Sequence, residues 1–222
     1  MKVMILAAGR GERMGNLTQN CPKPLLKVKG RCLIDWHLSK LCEAGFKDVL
    51  INVAYLSKEI IEFVGDGSKW GLNISISEEE QALETAGGIK QAIKYLGDEP
   101  FAVINADIFS DYNYKNLKMI SLQKKSMGHL VLVNNPEHNL KGDFGIMDDE
   151  ILTMNSERSL TFSGIAIYDP KFFSELTGGS KIKLAPILEI AINKKYIQGE
   201  LFEGAWSDVG TQERLNMINL DE

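Results

Sequence analysis

The stretch LAAGRGERMG, Leu6 to Gly15, follows directly on the apolar residues VMI at positions 3–5. The run KVMILAA at 2–8 is short and apolar, which is typical of a buried β-strand. The glycines after it indicate a loop whose backbone N–H groups can approach phosphate oxygens closely. Because ligands of open α/β sheets bind outside the carboxyl ends of the strands, the stretch predicts a phosphate-binding loop at that edge of a sheet.

Short apolar runs alternate with longer amphipathic stretches along the rest of the chain. Further strands are predicted at 48–55, 73–78, 100–107, 129–135 and 160–169. Helices are predicted at 33–45 with Gly45 as C-cap, at 57–67 with Ser57 as N-cap, at 184–195 and at 211–220, and a loop enters a helix at 85–97. This order predicts right-handed βαβ units and therefore an α/β fold, a Rossmann-like, mostly parallel sheet flanked by helices.

The segment 136–165 interrupts this alternation and is predicted to be a small β-rich insertion. No linker or low-complexity tract sets it apart as a separate domain. A chain of 222 residues suits one core of ordinary size. We therefore expect a single domain over 1–222 that contains the insertion.

Composition and charge exclude several classes of function. The chain is 44% hydrophobic with a net charge of -5, and it has no basic block of the kind that binds nucleic acid. Cys21, Cys32 and Cys42 form no CxxC pair, so reduced thiols are expected and neither disulfides nor a zinc site. No apolar run approaches the roughly 20 residues of a membrane span, and KVMILAA is too short for a signal peptide. We expect a cytoplasmic protein with a small-molecule partner.

Two familiar phosphate loops fit the opening stretch poorly. A dinucleotide loop requires G-x-G-x-x-G, and here Gly9 and Gly11 fit but Met14 occupies the third position. The second predicted strand also lacks the acidic residue that binds a ribose hydroxyl. A P-loop requires G-K-[ST], whereas Gly15 is followed by Asn16.

A third interpretation includes CPKPLL at 21–26, in which Lys23 lies between two prolines. Proline fixes φ and stiffens the backbone, so the ammonium group is held in place. Arg13 and Lys23 together supply positive charge for a triphosphate and for a developing pyrophosphate. These residues favour binding of a nucleoside triphosphate.

The run MILAAGRGERMGNLTQNCPKPLLKVKGRCLI at 4–34 resembles the signature of the sugar-1-phosphate nucleotidyltransferases, L-A-A-G-x-G-x-R followed by P-K-P. It departs from the signature at Gly15 and Asn16, where many members have a basic residue and a proline. The resemblance implies the nucleotide-diphospho-sugar transferase fold. It also implies transfer of a nucleotidyl group from an NTP to a sugar 1-phosphate, with pyrophosphate as the second product.

The resemblance implies a Mg²⁺ cofactor held by two aspartates. FAVINAD supplies Asp107 at the end of a buried strand, and AWSDVGT supplies Asp208 in the pattern W-x-D-x-G-T. Carboxylate oxygens are the hard ligands that Mg²⁺ prefers. Asp107 is expected to be catalytic, together with Lys23 at the α-phosphorus and Arg13 at the leaving pyrophosphate.

The remaining expected site residues also follow from the resemblance. The nucleotide is expected to contact Leu6, Ala7, Ala8, Gly9, Gly11, Glu12, Arg13, Lys23 and, from LETAGGI at 83–89, Glu84, Thr85, Gly87 and Gly88. Thr85 is also expected to be a helix N-cap, and the two glycines to admit a flat ring close to the backbone. The sugar is expected to contact Asn105, Asp143, Arg158, Ser163, Gly164 and Lys183. Four of these residues lie within 136–165, so the insertion is expected to bind the sugar. Either Arg158 or Lys183 is expected to bind the sugar phosphate.

Five further motifs indicate one subgroup of this family. They are LET at 83–85 (with Glu84 where many members have glycine), GDGSKWGL at 65–72, GDFG at 142–145, LTFSGI at 160–165 and KLAPIL at 183–188. All five resemble the short uridylyltransferases that act on N-acetylmuramic acid 1-phosphate, which implies UTP as the nucleotide and a role in cell-wall recycling.

Several alternatives stay open. They are a mannose- or heptose-1-phosphate guanylyltransferase, a phosphocholine cytidylyltransferase, an inactive nucleotide-sugar sensor on the same fold, and a dinucleotide-binding domain. The sequence ends soon after TQERLNMINL, without a C-terminal β-helix, so we expect an unregulated monomer or weak homodimer.

Overall fold

The computed structural model describes residues 1–220 and has a mixed α/β architecture. Strands β1 to β13 are Val3–Leu6, Lys27–Val28, Arg31–Cys32, Asp48–Val53, Asn73–Glu78, Phe101–Asn105, Ile108–Ser110, Gly128–Val133, Gly145–Ile146, Leu152–Thr153, Thr161–Tyr168, Ile197–Phe202 and Trp206–Asp208. Helices α1 to α5 are Leu33–Glu43, Ser57–Val64, Glu84–Leu96, Ala185–Asn193 and Gln212–Leu220.

A seven-stranded sheet with the order β12-β8-β11-β6-β1-β4-β5 forms the centre of the fold. Strands β6, β1, β4 and β5 pair in parallel, and β12 runs parallel to β8. Only β11 among these seven runs the other way, antiparallel to both β6 and β8. The predicted mostly parallel sheet flanked by helices is therefore confirmed.

The sheet is covered on both faces, which explains why its central strands are apolar throughout. In β1, Val3 and Ile5 pack into one cluster with Leu38 of helix α1. Met4 lies in the other cluster, with Ile89 of helix α3. Successive side chains of a strand point to opposite faces, so a strand between two helical layers needs apolar residues at every position.

Two predicted N-caps are wrong, and the predicted C-terminal glycine of α1 lies one position beyond the C-cap. Helix α2 has Leu56 at its N-cap position with φ 48°, and Ser57 Oγ donates to Glu78 Oε1 at 2.8 Å instead of capping. Helix α3 begins at Glu84, one residue before Thr85, so Thr85 is not its N-cap. Ala44 is the C-cap of α1, and Gly45 follows it with φ 74°, in the left-handed conformation that commonly ends a helix. The Gly45 N–H donates to the carbonyl of Cys42 at 2.8 Å.

The segment predicted to be an insertion contains the small antiparallel sheet of β9 and β10 and a bridge between Phe144 and Leu160. Residues 161–165 belong to β11 of the central sheet. The domain division and a sugar-binding role for the segment stay predictions. Within residues 1–220, no helix combines the length and apolar character required to cross a bilayer.

Candidate active site

A cavity of about 590 Å³ lies where β1, β4 and β6 end. Leu6 and the loop after it, Asn52 of β4 and Asn105 of β6 contribute to its wall. This is the edge of the sheet at which the phosphate-binding loop was predicted. Every predicted nucleotide-binding residue except Gly87 and Gly88 lines the cavity: Leu6, Ala7, Ala8, Gly9, Gly11, Glu12, Arg13, Lys23, Glu84 and Thr85.

The loop after β1 is held by two hydrogen bonds to the carbonyl of Gly11. Its carbonyl accepts from Met14 N–H at 2.9 Å and from Thr18 Oγ1 at 2.9 Å. Gly11 has φ 66°, and a Cβ there would lie 3.1 Å from Thr18 Cγ2, so the position requires glycine. Met14, which breaks the dinucleotide pattern, is 1% exposed and packs with Leu26 and Val209. It anchors the loop to the core.

Lys23 is held as its flanking prolines predicted. It begins a short 3₁₀ turn after Pro22 and is only 7% exposed. Its Nζ donates to Oδ2 of Asp107 across the cavity. A buried ammonium group requires such a partner, because burying an unpaired charge costs roughly several kcal/mol of desolvation free energy. The structure therefore brings together Lys23 and Asp107, two of the three residues predicted to be catalytic.

The backbone segments that carry Asp107 and Asp208 are adjacent, although about a hundred positions separate the two residues. Strand β13 pairs with β7 so that Asp208 lies opposite Ile108, and Val209 N–H donates to the Asp107 carbonyl at 2.8 Å. The Asp208 carboxylate accepts from Arg214 Nη1 at 2.5 and 2.6 Å. His138 Nε2 lies 2.9 Å from Asp208 Oδ1.

These two carboxylates fit a magnesium ion by their chemistry. Asp107 lies in the turn between β6 and β7, Asp208 ends β13, and both supply hard oxygen ligands. Mg²⁺ commonly takes one or two carboxylates while phosphates and water complete its shell. Oδ1 of Asp107 accepts no hydrogen bond from any described residue, whereas both oxygens of Asp208 contact Arg214. Arg214 and His138 had no signal in the sequence, because their role depends on where helix α5 and the segment after β8 lie.

The positive charge of the cavity comes from Arg10, Arg13 and Lys23. Arg13 forms no ion pair or hydrogen bond with residues 1–220, so its guanidinium group is available to a ligand. His37 is buried close to Asp107, and burial, then the nearby charge of Lys40, lowers its pKa to about 4. It is neutral at pH 7 and does not reduce the charge of Asp107.

A buried polar network joins the phosphate loop to helix α3. Asn52 Oδ1 accepts the Ala7 N–H at 3.0 Å, and Asn52 Nδ2 donates to Glu79 Oε1 at 2.7 Å. Glu79 Oε2 in turn accepts the Leu83 N–H at 2.9 Å. Asn52 and Glu79 are 3% and 4% exposed. Sequence reasoning missed both, although an asparagine inside the apolar strand DVLINV was the available signal.

The two glycines of α3 pack against protein. A Cβ on Gly88 would lie 2.7 Å from Glu79 Oε1 and 2.8 Å from Asn52 Nδ2, so Gly88 leaves room for the network. Gly87 N–H donates to the Ile182 carbonyl at 3.1 Å. Both lie in the helix rather than in a loop. A contact of either with the nucleotide stays a prediction.

Replacing Asn52 with alanine should destabilise the fold by about 1–3 kcal/mol, because the Ala7 N–H and the Glu79 carboxylate would lose buried partners. For a chain of this size that lowers the Tm by roughly 3–10 °C. Thermal unfolding of Asn52→Ala against Asn73→Ala checks it, since Asn73 donates to Asp48 at 3.1 Å on the exposed edge strand. An equal decrease in Tm in the two variants would show that the buried network contributes no more stability than the exposed hydrogen bond of Asn73.

Among the expected sugar residues, Asn105 lines the cavity, and Gly164 packs against the Asn105 side chain. A Cβ on Gly164 would lie 2.6 Å from Asn105 Nδ2. Ser163 is 1% exposed, and its Oγ donates to the Val131 carbonyl at 2.6 Å, where β11 bulges beside β8. The Ser163 hydroxyl is therefore directed into the sheet.

The other three expected sugar residues, like Ser163 and Gly164, do not line the cavity. Asp143 Oδ2 accepts the Phe162 N–H at 2.8 Å and supports the start of β11. Arg158 is exposed and donates to Asn134 Oδ1 at 3.3 Å. Lys183 is also exposed. Their roles toward a sugar phosphate stay predictions.

The fold and this cavity define a nucleotidyltransferase, and residues 2–222 match the model of the Nucleotidyl transferase family, so the chain belongs to that family. It is 46% identical over 220 residues to the N-acetylmuramate alpha-1-phosphate uridylyltransferase of Neisseria meningitidis serogroup B, covering 97% of this chain and 95% of that one. It is 28% identical to a mannose-1-phosphate guanyltransferase of Saccharomyces cerevisiae, covering 95% of this chain and 61% of that one.

Solved structures share the fold. A Bacillus anthracis protein in complex with a sucrose superposes with a TM-score of 0.85 at 21% identity, covering 99% of this chain and 94% of that one. HddC from Yersinia pseudotuberculosis, complexed with GMP-PN, superposes with a TM-score of 0.78 at 21% identity, covering 98% and 97%.

Proposed function

We propose that this chain transfers the uridylyl group of UTP to N-acetylmuramic acid α-1-phosphate, giving UDP-N-acetylmuramic acid and pyrophosphate. One observation carries the proposal. The signature loop, Lys23 and Asp107 converge on one cavity, in a chain that is 46% identical over nearly its whole length to a uridylyltransferase for that sugar phosphate. The guanyltransferase relative is less similar, at 28% identity.

The chemistry needs no protein nucleophile, because the attacking sugar phosphate is already an anion. Catalysis then consists of positioning the reactants and stabilising charge. Lys23 would place its ammonium group at the α-phosphate, where negative charge crowds during attack. Arg13, which has no partner among residues 1–220, would bind the β- and γ-phosphates and stabilise the leaving pyrophosphate.

Asp107 and Asp208 would hold Mg²⁺, which supplies neutralising charge to the phosphate oxygens. Arg214 and His138 orient the Asp208 carboxylate through the contacts described above. Asn105, at the cavity wall beside Gly164, is placed to bond a sugar hydroxyl. We further propose that the protein acts in the cytoplasm, in cell-wall sugar recycling, as a monomer or weak homodimer, which sedimentation at micromolar concentration tests.

A pyrophosphate-release assay tests the function. UTP, GTP, CTP and dTTP are each combined with the 1-phosphates of N-acetylmuramic acid, N-acetylglucosamine, glucose and mannose and with phosphocholine, with and without Mg²⁺. The expected result is fastest release with UTP and N-acetylmuramic acid 1-phosphate, and none without the ion. Release with GTP and mannose 1-phosphate would move the assignment to a guanylyltransferase. Nucleotide binding without release from any pair would favour an inactive sensor.

A further inference from the structure

Tyr55 connects the far end of the phosphate loop, residues 7–19, to the central sheet. It lies two positions after strand β4. Its hydroxyl is 3.1 Å from the carbonyl oxygen of Thr18 and 3.0 Å from that of Gln19. A phenol has one proton, so the two carbonyls share it in a three-centre hydrogen bond. The bond fixes the segment through which the chain passes from the loop to Lys23.

The loop has a flexible point before that segment. Gly15 has φ 57° and ψ −127° and interrupts the 3₁₀ turns of the loop. A Cβ there would meet nothing within 4 Å, so packing does not fix this position. Asn16 follows it where a proline would have fixed φ. Because Thr18 Oγ1 donates to the Gly11 carbonyl at 2.9 Å, the hydrogen bond of Tyr55 also stabilises the part of the loop that lines the cavity.

The aromatic ring of Tyr55 contacts a second group of the cavity, the guanidinium of Arg10. Arg10 Cζ lies 5.2 Å from the centre of the ring, within the range of a cation–π interaction. The Arg10 side chain is 65% exposed and lines the cavity. Within residues 1–220 its ion-pair partner is Glu12, at 3.8 Å, and an exposed pair at that distance contributes little. The N–H donors of Arg10 are therefore available to an anion.

The backbone turns sharply just after Tyr55. Leu56 has φ 48°, in the left-handed region that a bulky residue rarely adopts, and it occupies the N-cap position of helix α2. Such conformations persist where surrounding contacts impose them, and they are frequent beside ligand sites. Here the contacts of Tyr55 with the loop and with Arg10 are the neighbouring interactions that fix the turn.

We propose that Tyr55 is a positioning residue for the triphosphate, and that Arg10, held over its ring, binds the phosphates beyond the α-phosphate. A guanidinium group suits this task because its planar donors can bind two phosphate oxygens at once. The proposal rests on the nucleotide-binding role assigned to the cavity above. Tyr55 acts through the loop and Arg10 and does not touch the reacting atoms.

Calorimetric titrations with UTP and with UMP, both in Mg²⁺, test the proposal. Tyr55→Phe keeps the ring and removes the hydroxyl, and it should weaken UTP binding about 5-fold, the scale of one hydrogen bond. Arg10→Gln should weaken UTP binding about 10-fold, the scale of a hydrogen bond to a charged group. UMP, which lacks the outer phosphates, should change by less than about 2-fold in either variant. In turnover, KM for UTP should rise while kcat stays within about 2-fold.

Tyr55→Leu removes both the hydroxyl and the ring. Combined with Arg10→Gln, it should weaken UTP binding by less than the product of the two single effects, because Tyr55 acts partly through Arg10. Tyr95→Phe is the matched control. Tyr95 is exposed, has Lys94 Nζ 4.9 Å from its ring centre and does not line the cavity. Its variant should bind UTP and UMP as the wild-type protein does.

The ratio of the UTP and UMP affinities decides the outcome. An unchanged ratio in Tyr55→Phe would overturn the positioning role, whether neither nucleotide is affected or both weaken equally, as general destabilisation would cause. Thermal unfolding of each variant identifies such destabilisation. Unchanged UTP binding in Arg10→Gln would overturn the role of Arg10, and multiplying effects in the double variant would overturn its dependence on Tyr55.

The pyrophosphate assay separates this proposal from the proposed function. Turnover of UTP with N-acetylmuramic acid 1-phosphate, together with an unchanged affinity ratio in Tyr55→Phe and Arg10→Gln, would contradict only the roles of Tyr55 and Arg10. A UTP affinity that depends on both residues, without turnover on any sugar 1-phosphate, would support these roles and contradict the uridylyl transfer.

Discussion

Lys23→Ala is expected to lower the single-turnover rate of pyrophosphate release by about 100-fold or more, the scale of losing one preorganised electrostatic stabiliser. The ammonium group is nearly buried and paired with Asp107 in the cavity, so water cannot substitute for it in the same position. Binding of UTP should weaken less than the rate falls, because the charge acts mainly on the transition state. Rapid-quench kinetics with saturating substrates measure this.

Lys27→Ala controls for the loss of a lysine near the loop, since Lys27 is exposed on β2 and does not line the cavity. Its rate should stay within about 2-fold of the wild-type rate, as for a surface substitution away from the site. A Lys23→Ala rate within about tenfold of the wild-type rate would contradict the role of Lys23.

Asp107→Ala is expected to lower the same rate by about 100-fold or more. It removes a ligand proposed for Mg²⁺ and leaves the Lys23 ammonium group buried without its carboxylate partner. Asp107→Asn, which preserves the size of the side chain, should raise the Mg²⁺ concentration needed for half-maximal rate by at least about tenfold, because a charged oxygen ligand becomes neutral. Metal titrations of the two variants and the wild-type protein measure both effects.

Asp111→Ala is the matched control, because Asp111 is exposed and lies outside the cavity wall. Its rate and metal requirement should be close to those of the wild-type protein. The double variant of Lys23 and Asp107 should lose less than the product of the single losses, since the two groups act as a pair. The paired role of Lys23 and Asp107 would be contradicted if the rate losses of the two single variants multiplied in the double variant. An unchanged Mg²⁺ requirement in Asp107→Asn would contradict the role of Asp107 as a metal ligand.

Much of the sheet was predictable because its central strands are buried on both faces. VMIL, DVLINV and FAVIN are apolar almost throughout for that reason. Strand β12, IQGELF, was missed because it is a half-exposed edge strand with mixed polarity. Nor could local sequence show that β11 runs antiparallel to β6, since direction depends on how the chain returns to the sheet.

Tertiary contacts explain the errors at helix α3. Its first N–H groups at Ala86 and Gly87 are bound by the carbonyl of Ile182, about a hundred residues later. A helix capped by a distant carbonyl needs no local capping residue, so rules based on neighbouring residues misplace its start.

The candidate site was predictable where one segment carries the chemistry, as in the signature loop and Lys23. The approach of Asp208 to Asp107 depends on the pairing of β13 with β7, and no spacing in the sequence reveals that pairing. The resemblance to the family was the basis for predicting that Asp107 and Asp208 act together. The Asn52 and Glu79 network was missed because the asparagine in DVLINV indicates a buried polar residue but not its partner, which follows the next strand of the sheet.

The central claim is that the cavity transfers a uridylyl group to a sugar phosphate instead of hydrolysing UTP. Mass spectrometry of the products formed from UTP, N-acetylmuramic acid 1-phosphate and Mg²⁺ in ¹⁸O-enriched water tests it most directly. The predicted products are UDP-N-acetylmuramic acid and pyrophosphate without ¹⁸O from the solvent. ¹⁸O-labelled UMP with unchanged sugar phosphate, or no new nucleotide at all, would contradict the claim.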